Sequence, residues 1–99
     1  MSKLIALYKN PADPAEFDRL YFDTHLPLIA KLPSLQGTAV TRFTRTLMGD
    51  GFYMMAEMSF PDREALKTAM KSPEMAAAGA NLDSFASGLV TLMFGEQEG

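Results

Sequence analysis

Three stretches of this chain are apolar at both odd and even positions, and each is short enough to be a β-strand. They are Lys3 to Tyr8, Phe52 to Phe60 and Leu89 to Phe94. Successive side chains of a strand point to opposite faces of its sheet, so a strand with this pattern needs apolar cover on both sides. Any fold for the chain must therefore bury both faces of much of one sheet.

The segment after the first strand predicts a helix that begins at Pro14. Asp13 is placed to cap this helix, and proline suits the first helical position because no amide hydrogen bond is needed there. Pro27 lacks the amide hydrogen that a regular helix would use further along. It therefore predicts a kink near Thr24 to Leu26.

The remaining elements decide the fold class. Asp62 is placed to cap a second helical region and Ser72 a third, which runs from Pro73 to about Ser84. Thr38 to Leu47 is rich in threonine and interrupted by arginines, which predicts a strand at an edge of the sheet. The order strand, helix, strand, strand, helix pair, strand is the split βαβ pattern of the ferredoxin-like α+β fold. We expect a four-stranded antiparallel sheet with helices on one face and the strand order 4-1-3-2.

The turn Met48 to Gly51 offers more than one hairpin register. With Gly49-Asp50 as a two-residue loop, or all four residues as the loop, Arg42 lies opposite Glu57 and a cross-strand ion pair is expected. With Asp50-Gly51 as the loop, Glu57 lies opposite Thr44 instead.

Helices on one face leave the other face of the sheet uncovered, although residues such as Tyr8, Met55, Val90 or Leu92 would make it apolar. A second copy packed face to face is the simplest cover, so we infer a homodimer. The alternative is that the extra apolar residues line a ligand cavity within one subunit. Both explanations can hold in part.

Composition excludes several classes of partner. The 99 residues contain 9 Lys and Arg against 12 Asp and Glu, with no basic run, which argues against nucleic acid and against a basic membrane patch. With no cysteine and one histidine, the chain cannot form a thiolate or multi-histidine metal site by itself, and we expect no metal and no cofactor. We expect one cytoplasmic domain over residues 1–99, in which residues 95–99 are a disordered polar tail.

His25 is the candidate catalytic residue. It borders the apolar stripe of the first helix, which is formed by Phe17, Leu20, Tyr21, Thr24 and Leu28. An imidazole at that border is expected to be half-buried and to titrate near neutral pH. The alternative is a structural histidine whose ring hydrogen-bonds a backbone carbonyl near the kink at Pro27.

The candidate substrate-binding residues are Tyr8, Tyr21, Tyr53 and Met55. The phenols of Tyr8 and Tyr53 could lie beside a ligand, or they could hydrogen-bond locally at the end of the sheet. The methionines around Met55 offer an adaptable lining for a flat apolar ligand, or they are simply part of the core.

The segment Tyr21-Phe22-Asp23-Thr24-His25-Leu26-Pro27-Leu28 resembles the EthD family, whose first helix carries a similar aromatic-x-x-x-His-x-Pro-Leu motif. The resemblance extends to the strand that ends in Leu7-Tyr8-Lys9, to the Pro-x-Asp turn at Asp13, to Phe17, and to Lys31-Leu32-Pro33. The chain departs from the family pattern at Pro33-Ser34-Leu35 and at Thr38, where many members have a glycine and a tyrosine.

This resemblance implies a dimeric α+β barrel without a metal. It also implies that His25 carries a proton in a pocket between the first helix and the sheet. The expected function is to act on, or bind, a small, largely apolar oxygenated compound. The alternative is a non-catalytic ligand-binding or accessory protein of a catabolic pathway.

Overall fold

The computed structural model describes all 99 residues of the chain. In chain order the elements are β1 (Ser2–Tyr8), α1 (Pro14–Leu20), a π-helical segment (Tyr21–His25), α2 (Leu26–Ile29), β2 (Gly37–Arg42), β3 (Met54–Phe60), α3 (Arg63–Met70), α4 (Pro73–Ala86) and β4 (Val90–Glu96). The strands lie in the order β2-β3-β1-β4, and each neighbouring pair is antiparallel. This confirms the ferredoxin-like α+β fold and the strand order predicted from the sequence.

The helices cover one face of the sheet, as predicted. Even-numbered residues of the central strands β1 and β3, such as Ala6 and Ala56, are buried in one cluster with Phe17 of α1 and Leu82 of α4. The odd-numbered residues between them are only half-buried. The core therefore lies between the sheet and the helices, and the opposite face is open.

The predicted caps begin three of the helices. The side chains of Asp13, Asp62 and Ser72 each accept a hydrogen bond from the amide three residues later, at the starts of α1, α3 and α4. The last of these helices continues to Ala86, slightly beyond the predicted end.

The disturbance predicted near Pro27 takes the form of the π-helical segment. Here the Leu26 amide donates to the Tyr21 carbonyl, five residues back instead of four, and the next residue has no amide hydrogen. The wider turn changes which side chains face the sheet. His25 is buried, whereas Thr24, which a regular helical period places on the apolar stripe, is exposed.

The predicted hairpin register is wrong. Arg42 lies opposite Met54 and Glu57 opposite Ala39, and residues 43–53 connect the strands in place of a tight turn. This register puts Val40 opposite Ala56 on the helix side, where the predicted one would have turned it away from the core. Burial of the apolar side chain, and not the turn, thus fixes the pairing.

Of the four residues predicted for the open face, only Met55 lies there. Tyr8 is buried under the helices, and Val90 and Leu92 share its face of the sheet because they pair with Tyr8 and Ala6. Met55 does lie on the open face. Its neighbours there include Ile5, Leu7, Thr41 and Met93, together with the ion pair Lys3–Glu57 at 2.9 Å.

Strand β4 continues two residues into the predicted tail, so that prediction is wrong for Gly95 and Glu96. Pairing with β1 holds them, and the Ser2 hydroxyl donates to the Glu96 carboxylate at 2.6 Å. Arg63 of α3 donates to the same carboxylate at 3.0 Å. These contacts attach the end of the sheet to α3.

Candidate functional site

An aromatic cluster fills the space between the first helix and the end of β1. Tyr8 ends β1, and Phe17 of α1 and Tyr21 at the start of the π-helical segment lie above it, with ring centroids 5.3 Å and 5.7 Å from that of Tyr8. The π-helical segment adds His25, whose ring lies 5.6 Å from Tyr21 and 5.9 Å from Phe85 of α4. Three of the predicted site residues, His25, Tyr8 and Tyr21, are therefore brought together.

A cavity of about 40 Å³ adjoins these three side chains. Its walls are otherwise apolar and include Leu4, Ala6, Ile29, Ala56, Met58 and Leu82. Pockets that hold whole drug-sized ligands measure roughly 300–1,000 Å³. The cavity therefore fits only a small group as it stands, and a larger ligand requires side chains such as Met58 to move.

His25 is tethered through one ring nitrogen only. Its Nδ1–H donates to the Asn81 side-chain oxygen on α4 at 3.1 Å, and no protein group bonds Nε2. In this tautomer Nε2 carries the lone pair. His25 is 3% exposed and lines the cavity, and Nε2 is the ring nitrogen without a partner in the protein.

Burial favours the neutral form of all three polar groups of the cavity. It raises the pKa of Tyr21 to about 12 and that of Tyr8 further, because a phenolate loses its hydration there. Burial also lowers the pKa of His25, and the hydrogen bond to Asn81 opposes this only in part. The site thus presents one basic nitrogen and two hydroxyl groups without a net charge.

Neither of the two tyrosine hydroxyls at the cavity forms a hydrogen bond within the protein. Among the tyrosines, only Tyr53 hydrogen-bonds another side chain through its hydroxyl. Tyr8 and Tyr21 are each 1% exposed, yet neither hydroxyl is a fully buried atom without a hydrogen-bond partner. Both residues line the cavity, and neither hydroxyl has a hydrogen-bond partner in the protein.

The environment of His25 differs from both sequence-based expectations. The imidazole is buried and not half-buried, because the π-helical segment turns it onto the core side. Its partner is the amide of Asn81 and not a backbone carbonyl near Pro27.

Tyr53 and Met55 lie away from this cavity. The Tyr53 hydroxyl donates to Asp18 at 2.7 Å and accepts from Arg42 at 2.7 Å, which joins α1 to the edge of the sheet. Met55 lies on the open face, behind the sheet. The sequence-based set therefore mixes three cavity residues with two that the fold directs elsewhere.

Sequence reasoning missed Asn81. A signal for it exists, because Asn81 lies within the alanine-rich helix α4 beside the inward-facing Ala78 and Leu82. An amide on the inner face of a helix needs a polar partner, since a buried unpaired amide is costly. Only the fold shows that this partner is His25.

Comparison with known proteins agrees with the motif around His25. The family model described as "EthD domain" matches residues 9–88. The chain belongs to the EthD family. An uncharacterized 11.0 kDa protein of Rhodococcus erythropolis, from the thcB-thcC intergenic region, is 35% identical over 99% of this chain and 96% of its own length.

Solved structures extend the comparison to the fold. An EthD family protein from Bacillus halodurans is 46% identical, with a TM-score of 0.94 over 99% of each chain. A protein of unknown function from Bacteroides fragilis, described as dimeric and ferredoxin-like, is 20% identical with a TM-score of 0.66 over 97% of this chain and 95% of its own. SnoaB from Streptomyces nogalater, a cofactor-independent oxygenase, is 14% identical with a TM-score of 0.72 over 99% and 93%. The last two share the fold alone.

No group of three or more His, Cys, Asp or Glu side chains is arranged to hold a metal ion. No helix has the length and apolar character needed to cross a bilayer.

The pKa of His25 should be lower in the folded protein than in the unfolded chain, because burial disfavours the imidazolium. As the pH drops below the ordinary value of about 6.5, the unfolded chain gains a proton before the folded protein does, so the free energy of unfolding should decrease until the lowered pKa of the folded protein is reached. Above the ordinary value the contribution of His25 to stability is constant. Since the chain has one histidine, an NMR titration of its ring protons reads the pKa directly.

The matched control is His25→Gln, which cannot contribute this pH dependence. The difference in unfolding free energy between the two proteins should narrow as pH falls from about 7 to about 5. A pKa in the folded protein at or above that in urea would contradict the argument.

Tyr53→Phe should destabilise the fold by about 0.5–1.5 kcal/mol, because it removes the hydroxyl that joins Asp18 to Arg42. Urea unfolding measures the effect. The same variant should leave the NMR titration of His25 unchanged, since Tyr53 lies outside the cavity. A shifted His25 titration with unchanged stability would show that the two sites are not separate.

Proposed function

We propose that this EthD family protein binds a small, largely apolar compound with an oxygen function in the His25 cavity and moves a proton on it without a cofactor. The observation that carries the proposal is the free Nε2 of His25 beside two unbonded phenols. The apolar walls suit the body of such a compound, and the hydroxyls suit its oxygen.

The proposed proton transfer balances within the site. Nε2 takes a proton from a carbon next to a ligand carbonyl, the electron pair of that C–H bond forms a C=C bond, and the π pair of the carbonyl moves onto its oxygen. A phenol donates a hydrogen bond to the developing enolate. The imidazolium returns the proton to the same or another carbon, while its Nδ1–H stays bonded to Asn81. Exchange or isomerisation results, and no further reactant is needed.

A non-catalytic binding protein is the second candidate. It is favoured by the partner of His25, because the neutral amide of Asn81 stabilises an imidazolium less than a carboxylate would. Burial disfavours that cation further. In this case the same groups hold the compound, and His25 accepts a hydrogen bond without taking the proton.

The proposal includes a homodimer formed over the open face of the sheet. Ile5, Leu7, Met55 and Met93 place apolar side chains there, and no helix of the same chain covers them. Their burial against a second copy removes this surface from water. The dimeric description of the Bacteroides fragilis protein supports this assembly. The cytoplasmic location expected from the sequence is also part of the proposal.

His25→Gln should abolish proton transfer while the protein stays folded. The assay follows hydrogen-deuterium exchange next to the carbonyl of cyclohexanone and of small lactones in D₂O by NMR. Loss of a general base lowers such rates by roughly 10²- to 10⁴-fold. Tyr21→Phe should lower the rate less, and Tyr53→Phe, outside the cavity, should not change it. Rates are compared per folded molecule, because replacing a buried residue also costs stability.

The same experiment distinguishes the catalytic protein from the non-catalytic binding protein. Binding of these compounds without exchange favours the non-catalytic protein. Neither binding nor exchange with any compound, or exchange that survives His25→Gln, would show that the cavity does not carry the function.

Met93→Lys should split the dimer, because it places a charge within the apolar open face. Sedimentation should give about twice the 10.9 kDa chain mass for the unaltered protein and the single mass for the variant. Met48→Lys is the control, since Met48 is 92% exposed in the loop 43–53. A monomeric unaltered protein would refute the assembly.

A further inference from the structure

The lining of the cavity beside His25 includes residues of α4 and of the edge strand β4. Most of its lining residues are buried, but Gly79 is exposed, Leu92 is 50% exposed and Met75 is half-buried. Met75 and Gly79 are one helical turn apart, so they present the same face of α4. The surface that connects the cavity to solvent is therefore made by these three residues.

Position 79 carries no side chain at this opening. A Cβ added to Gly79 would meet no atom within 4 Å, and its backbone has no conformation that requires glycine. Glycine is also a poor residue for the interior of a helix. Neither the packing nor the backbone of α4 accounts for the glycine, whereas an open mouth does.

Resting on the proposed function, we propose that Gly79 sets access to His25 and so selects the ligand by its width. The ligand passes over the backbone of Gly79, between Met75 and Leu92. A second observation points to a ligand at the inner end of this path, where the 1% exposed Tyr8 and Tyr21 hold unbonded hydroxyls.

The residues along this path also indicate the chemical class of the ligand. The lining side chains that are not buried, those of Met75 and Leu92, are apolar, whereas those of His25, Tyr8 and Tyr21, which can hydrogen-bond, are buried. A compound therefore enters with its oxygen first and leaves its apolar part towards the mouth. Met75 is unbranched and flexible, so it can move aside for a single ring or an unbranched chain. A bulky branched compound would have to displace α4 itself.

The test measures access to the ring and does not depend on turnover. Diethyl pyrocarbonate acylates neutral imidazole nitrogen, and the ultraviolet absorbance of the product reports His25 alone because the chain has one histidine. Gly79→Leu places a side chain over the mouth and should slow acylation by roughly tenfold or more, since the rate follows the open fraction. Ala80→Leu, at an exposed position outside the lining, should react within about twofold of the unaltered protein.

A stability measurement keeps the result interpretable. Leucine is the better helix former, so Gly79→Leu should raise the thermal midpoint or leave it unchanged while it slows the reaction. Equal rates for Gly79→Leu and the unaltered protein, equal slowing by both leucine variants, or an unreactive His25 in the unaltered protein would each overturn the proposal. Slowed acylation without any proton exchange on cyclohexanone would uphold this path and refute only the catalytic form of the proposed function.

Discussion

Strand β1 is hydrogen-bonded on both sides, to β3 and to β4, and the rest of the structure depends on this double pairing. Its alternation sends Leu4, Ala6 and Tyr8 towards the helices and Ile5 and Leu7 to the opposite face. Because the registers of both neighbours are tied to it, their side chains follow the same alternation. Strand β1 therefore determines both which side chains line the sheet side of the cavity and which side chains lie on the open face.

Much of the fold could be predicted because its signals are local. Caps such as Asp13 and Asp62 act within one turn, and the order of the strands follows from their patterns and connections. The pairing of β2 with β3 could not be predicted in the same way. It is set by burial of Val40 opposite Ala56, across a long loop, and not by the glycines at the turn.

The candidate site was predictable in part for the same reason. The motif identified His25, and the position of Tyr21 one helical turn before it predicted that the two side chains are neighbours. A regular helical period placed His25 at a half-buried border, whereas the π-helical segment buries it. Asn81 lies 56 positions away in the chain, so no local pattern around His25 contains it. Desolvation disfavours the charged forms of both the His25 imidazole and the tyrosine hydroxyls. The cavity is therefore uncharged, and a neutral ligand suits it better than an ionised one.

The pairing of β1 with β4 also bears on how the chain reaches this structure. Ser2 pairs with Glu96 and Tyr8 with Val90, so the central strand pairs with a strand more than 80 positions away in the chain. Contacts between residues so distant in sequence form slowly, because a large loop must close before they stabilise anything. Until β4 arrives, one edge of β1 keeps unpaired amides and carbonyls beside an apolar floor. In that condition the chain has an exposed strand edge, which is prone to pair with other chains. The ion pair with Arg63 and the hydrogen bond from Ser2 at Glu96 become available only once β4 has joined the sheet.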